Sequence, residues 1–137
     1  MTYFTTPPSE DDFIQLAEAA LAAMPQGFAQ YARGIAIMVE DVADDEVLAE
    51  LEIENPWELT GLYRGVPLTE RENQGAGLVP DRIFLYREAI LMEWIETGED
   101  LGRLVASVLV HEIAHHFGIS DEEIDRIEAS LDRDQVH

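Results

Sequence analysis

His111-Glu112-Ile113-Ala114-His115-His116-Phe117-Gly118-Ile119-Ser120-Asp121 is the stretch on which the reading of this chain turns. Its pattern is HExxHxxGxxD. His111 and His115 are four apart, so on a helix they share one face, with Cβ atoms ~5–6 Å apart. Two imidazoles so placed can both reach one Zn²⁺ at ~2.0–2.1 Å. Glu112 stands beside the first of them, where a general base can polarise a metal-bound water. Gly118 lies three residues past His115, and glycine readily takes the left-handed conformation that ends a helix. Beyond that turn the chain can offer Asp121 as a third ligand. Three protein ligands leave a fourth position for water, which separates a catalytic zinc site from a closed structural one.

The residues ahead of the motif, Leu101 to Val110, read as the apolar run of a buried helix. Ionisable side chains on so apolar a helix call for partners or a metal, because a buried charge is costly unless paired. Individual residues keep plainer readings beside these. Ser120 and Glu123 form a capping box for a last helix over 121–131. Asp121 would then be an acid in its first turn, where the helix dipole favours a carboxylate. His116 points about 100° away from His115 on a helix. It reads as a surface group or one behind the ligands, with metal ligation as the alternative. Glu122, Glu123 and Asp125 read as a solvated acidic face. Tyr63 and Tyr86 could stabilise an oxyanion, yet read first as sheet or core aromatics. The chain has no GxSxG, no phosphate-binding glycine loop and no cysteine for a Cys–His pair.

Working outward, 137 residues make one domain, and 47% hydrophobic residues are enough for a core without disulfides. The absence of cysteine excludes thiolate ligands and fits a reducing compartment. Met1 to Pro8 lacks the basic and apolar segments of a signal peptide, and no apolar run is long enough for a bilayer. The cytoplasm is therefore the default location. A formal net charge of −21 opposes nucleic acid and anionic membranes. It favours basic peptides, although an acidic surface also serves solubility alone. The oligomeric state is not legible.

Along the chain, residues 1–8 read as a flexible tail. Ser9 and Asp12 resemble a capping box, and Phe13, Leu16, Ala17, Ala20, Leu21 and Met24 recur at helical spacing before Pro25. This predicts a helix over 10–24, with a short second helix over 28–33. Residues 34–40 read as a strand internal to a sheet, being apolar on both faces. Asp41, Asp44, Asp45 and Glu46 lack the spacing and glycine of a calcium loop and read as a solvated face, with a helical turn over 45–51. A strand follows over 59–63, then a polar connection over 64–80. Ile83 to Tyr86 reads as a third strand, with Pro80 and the flanking arginines suiting a sheet edge. Helices over 88–96 and from Asp100 to Phe117 precede the last one. The fold predicted is α+β, with a sheet of three or four strands packed on a long buried HExxH helix. Residues 9–131 form the domain and 132–137 a C-terminal tail.

The motif, together with Leu62-Tyr63-Arg64-Gly65-Val66-Pro67-Leu68 and Arg82-Ile83-Phe84-Leu85-Tyr86-Arg87, resembles the small bacterial minimal zincin metallopeptidase-like family, related to the metzincins. The resemblance spans residues 10 to 130. It implies one zinc per chain held by His111, His115 and Asp121, with Glu112 as the base in peptide-bond hydrolysis. It also implies a peptide or protein substrate paired with an edge strand over the active-site helix, for which Ile83–Tyr86 is the candidate. Two departures stand out. No methionine follows Met92, so the metzincin methionine turn is missing, and the chain runs only to His137 after Asp121, so an enclosed cleft is not implied. The alternative function is a zinc-stabilised binding or regulatory domain with little turnover. A His₂Asp set also accepts other divalent metals.

Overall fold

A computed structural model of the chain describes residues 4–65 and 81–136, with side chains as far as Leu131. Ser9 starts the first helix as a reciprocal cap. Its hydroxyl accepts from the Asp12 N–H at 3.1 Å, and the Asp12 carboxylate accepts from the Ser9 N–H at 2.8 Å. Helix α1 (Glu10–Ala23) buries Phe13, Ala17 and Ala20. After Pro25 come α2 (Gln26–Ala29) and a 3₁₀ turn, then strand β1 (Ala36–Glu40) and helix α3 (Asp45–Glu50). Asp44 caps α3 by accepting from the Val47 N–H, and Asp41 pairs with Arg87. Two carboxylates of the acidic run are thus structural. Strands β2 (Gly61–Arg64) and β3 (Arg82–Tyr86) lead into α4 (Arg87–Thr97), α5 (Leu101–Phe117) and α6 (Asp121–Val136). The last helix continues five residues past the predicted end at 131. Of the polar connection read over 64–80, residues 66–80 lie outside the described residues.

The three strands of the described residues lie in the order β1-β3-β2. β1 runs parallel to β3, with Met38 opposite Phe84, and β2 runs antiparallel to it, with Leu62 opposite Phe84. The expectation that Ile83–Tyr86 forms an edge is therefore overturned, because β3 is the central strand. The physical reason is that β3 is apolar on both faces. Ile83 and Leu85 are wholly buried in the main core, while Phe84 and Tyr86 join a second cluster with Ala43, Leu48 and Ala89. The arginines that suggested an edge only mark the strand ends. Arg82 lies over the Phe84 ring, and Arg87 donates to the Pro8 carbonyl at 2.6 Å. Conversely β1, expected to be internal, lies at one side of this sheet. Its apolar character comes from Ile37 and Val39 facing the core, while Met38 faces outward and is 39% exposed.

Helix α5 is the centre of the fold, touching α1, α4, α6, β2 and β3. Asp100 starts it by accepting from the Arg103 N–H at 3.0 Å. Leu101, Leu104, Val105, Leu109, Val110, Ile113 and Ala114 are all buried. Fully burying an aliphatic side chain of this size contributes roughly 1.5–3 kcal/mol, so this helix anchors the core. It ends at Gly118 with φ 68°, and the Ile119 N–H reaches back to the Ala114 carbonyl at 2.9 Å. That is the glycine stop that the sequence predicts. None of the helices is long and apolar enough to cross a membrane among the described residues. Ahead of α1, Phe4 meets the Trp94 ring edge-on.

Burial of Tyr86 sets a testable pH dependence. Burial pushes its hydroxyl up to about 12, and the Glu40 and Asp44 carboxylates reinforce the shift. The unfolded chain releases this proton near pH ~10. The folded state therefore holds the proton more tightly, so this part of the stability is complete below about pH 10 and is lost toward about pH 12. Denaturant unfolding across that window should show the Tyr86→Phe variant losing less stability than the wild type. Parallel pH profiles would contradict the assignment.

Candidate metal centre

Arg103, Ser107, His111 and His115 follow one another at spacings of four along α5, so they form a single polar stripe on a helix otherwise given to the core. The His111 and His115 rings lie one turn apart, with centroids 6.1 Å apart and planes at 73°. Nδ1 of His111 is 2.8 Å from the Ser107 carbonyl oxygen and 3.3 Å from Oε1 of Glu128 on α6. A carbonyl can only accept a hydrogen bond. Nδ1 therefore carries a proton, and in the neutral imidazole Nε2 then holds the lone pair, the state in which an imidazole binds a metal.

Glu112 lies between the two histidines in sequence but turns toward the sheet. Its Oε1 accepts from the Tyr63 backbone N–H at 3.3 Å. Burial pushes its carboxyl above the usual range, while the Tyr63 N–H and then His115 and His111 pull it back. A carboxylate with a raised proton affinity next to two imidazoles is suited to receiving and releasing a proton.

Tyr63 can reach Glu112 because of where β2 sits. In the antiparallel pair the Tyr86 N–H donates to the Thr60 carbonyl at 2.9 Å, so Leu62 and Arg64 bond to β3 while Gly61 and Tyr63 turn their backbone groups outward. Gly61 then lies against α5. A Cβ there would stand 2.5 Å from Cγ1 of Val108, 3.2 Å from the Phe84 carbonyl and 3.4 Å from Cγ of Glu112. Only glycine permits this approach. Strand β2, not β3, is thus the edge over the motif helix among the described residues.

His116 turns away from the His111–His115 pair, as its place in the helix predicts. Its ring stacks on Tyr63 at 3.8 Å with planes 18° apart, and Phe117 packs edge-on against it. The Tyr63 hydroxyl donates to Asp81 at 2.7 Å. Tyr63 therefore borders the site, which the sequence could not establish, whereas Tyr86 is buried in the second core cluster. Asp121 opens α6, behind a Ser120 hydroxyl that accepts from the Glu123 N–H at 3.2 Å.

Among the described residues no three His, Asp or Glu side chains are gathered closely enough to hold a metal ion. The arrangement brings His111, His115 and Glu112 together and does not bring Asp121 into a three-donor set with them. It fits a metal in its two imidazoles and in the partnered Nδ1 of His111. Sequence reasoning missed Ser107 and Glu128. The spacing of four from Arg103 to His115 was the signal for Ser107, while Glu128 is brought in only by the packing of α6.

A helix with this histidine pair, crossed by an edge strand that contacts the intervening glutamate, defines a zincin-type domain. Residues 32–131 match the family model for zincin-like metallopeptidases, and the chain belongs to that family. No curated protein matches it.

The close approach at Gly61 can be tested by Gly61→Ala. The added methyl meets the stiff, β-branched Val108, and overpacking of this kind costs ~1–3 kcal/mol. Thermal unfolding should show a clear loss of stability that shrinks when Val108 is already alanine. An equal loss in both backgrounds would contradict the contact.

Proposed function

We infer that the protein is a zinc-dependent peptidase in which His111, His115 and Asp121 hold one zinc and Glu112 is the general base. The observation that carries this reading is the pair of helical imidazoles one turn apart, with Glu112 held at the edge-strand amide, in a chain of the zincin-like metallopeptidase family. Bound zinc would supply Lewis acidity toward the attacking water and the scissile carbonyl. His111 and His115 would offer their ring nitrogens. Asp121 would be the third donor in this reading, on the strength of its place just past the Gly118 turn. Glu112 would take the proton of the attacking water and pass it to the leaving amine.

The substrate in this reading is an extended peptide laid along β2, the outward groups of Gly61 and Tyr63 pairing with its backbone. A substrate carbonyl that accepts the Tyr63 N–H takes that donor from Glu112 and frees the carboxylate. The net charge of −21 favours peptides rich in Lys and Arg. A second reading, a zinc-stabilised binding or regulatory domain with little turnover, is favoured by one observation: a net charge of −21 suits the docking of a basic partner without any turnover.

Turnover separates the two readings. With zinc supplied and a panel of basic peptides as substrates, the wild type should hydrolyse some of them. Glu112→Gln should be slower by at least ~10²-fold while keeping its fold by circular dichroism. Hydrolysis by Glu112→Gln at the wild-type rate would refute the assigned base. A zinc-loaded wild type that cleaves nothing, combined with a His111→Ala variant that melts, would establish the second reading.

A further inference from the structure

The geometry points to Glu128 as the positioning residue for His111: its carboxylate, reaching across from α6, fixes the ring and the tautomer that leave Nε2 facing outward for a metal. The inference rests on the metal-site reading above, in that it concerns the same histidine, but the hydrogen bonding it describes needs no metal.

The His111 side chain is 43% exposed, so packing alone does not lock its ring. The first constraint is the Ser107 carbonyl at 2.8 Å. That carbonyl lies one helical turn back, where it also serves the backbone N–H of the helix. It selects the protonated nitrogen but shares its acceptor capacity. The second constraint is Glu128, whose Oε1 is 3.3 Å from the same Nδ1. An ionised carboxylate accepts only, so it demands the same tautomer as the carbonyl.

Glu128 is itself held. The Ser107 hydroxyl donates to its Oε1 at 2.8 Å, and Arg103 approaches Oε2 at 3.7 Å from the preceding turn of α5. Ile124, Ile127 and Leu131 are buried beside it, which turns this face of α6 toward α5. Its side chain is only 23% exposed. A carboxylate fixed by a hydroxyl and a guanidinium, and aimed at the far nitrogen of an imidazole, is the arrangement that orients a metal-binding histidine. The motif helix supplies the histidines, and α6 supplies the group that orients one of them.

A purely structural alternative makes a different forecast. If Glu128 served only to pair Arg103, its loss would lower the melting temperature and leave His111 unchanged. The test therefore combines two readouts on Glu128→Gln, with Ser107→Ala as a second variant in case the first folds poorly. Glu93→Gln, an exposed carboxylate on α4, controls for net charge. The first readout is the pair of imidazole ¹⁵N shifts of His111 in metal-free protein, assigned by difference from His111→Ala. The second is zinc affinity by competition with a chelating dye.

The wild type should show one tautomer with Nδ1 protonated. Glu128→Gln should show averaged nitrogen shifts and bind zinc ~10- to 100-fold more weakly. Ser107→Ala should move both readouts in the same direction by less, and Glu93→Gln should match the wild type. Unchanged ¹⁵N shifts and unchanged affinity in Glu128→Gln would overturn the role of Glu128 and leave the metal reading standing. A wild type that takes up no zinc would instead overturn the metal reading, and the ¹⁵N shifts alone would then decide the role of Glu128.

Discussion

A helix that is packed against α1, α4, α6, β2 and β3 has little surface left, and α5 uses that surface for its polar stripe. Burying Leu104, Val105, Leu109, Val110 and Ile113 fixes the rotation of the helix about its axis, because any turn would carry these side chains into water. The same rotation fixes where Arg103, Ser107, His111 and His115 emerge. The direction of the histidines is thus a consequence of core packing. No local interaction at the site has to enforce it, and what remains adjustable is the ring torsion that Ser107 and Glu128 restrain.

Strand β2 meets this helix through a narrow contact. Gly61 brings β2 so near Val108 that no side chain fits between them, and two residues on the Tyr63 N–H finds Glu112. The His116 ring, stacked on Tyr63, closes the other end of the contact, and Arg64 pairs with Glu50 on α3 beyond it. Glu112 is therefore placed by two things at once, the helix that carries it and the strand that donates to it. Its raised proton affinity comes from the burial which that contact creates. The chemistry of the carboxylate and the spacing between strand and helix are one feature.

Much of this was legible in the sequence. The apolar run ending in HExxH, the Asp100 cap and the Gly118 stop placed α5, because capping and helical periodicity are local. Order within the sheet was not legible in the same way. The arginines flanking Ile83 to Tyr86 suggest an edge, although apolar side chains on both faces are the mark of a central strand. The polar groups of Leu59 to Tyr63 gave no sign that this strand would lie over the motif. The absent side chain of Gly61 was the one clue, and glycine has many other uses. Glu128 stood beyond sequence reasoning altogether. Its role depends on how α6 folds back along α5, and nothing in its own neighbourhood separates it from the exposed acids Glu122, Glu123 and Asp125.

The proposed function stands or falls on a metal held by the two histidines of α5. Elemental mass spectrometry of the purified protein, run side by side on the wild type and His115→Ala, tests it most directly. The wild type should carry about one zinc per chain, as a single mononuclear site requires, and the variant should lose it. No metal in either protein, even after zinc is supplied to the folded chain, would contradict it.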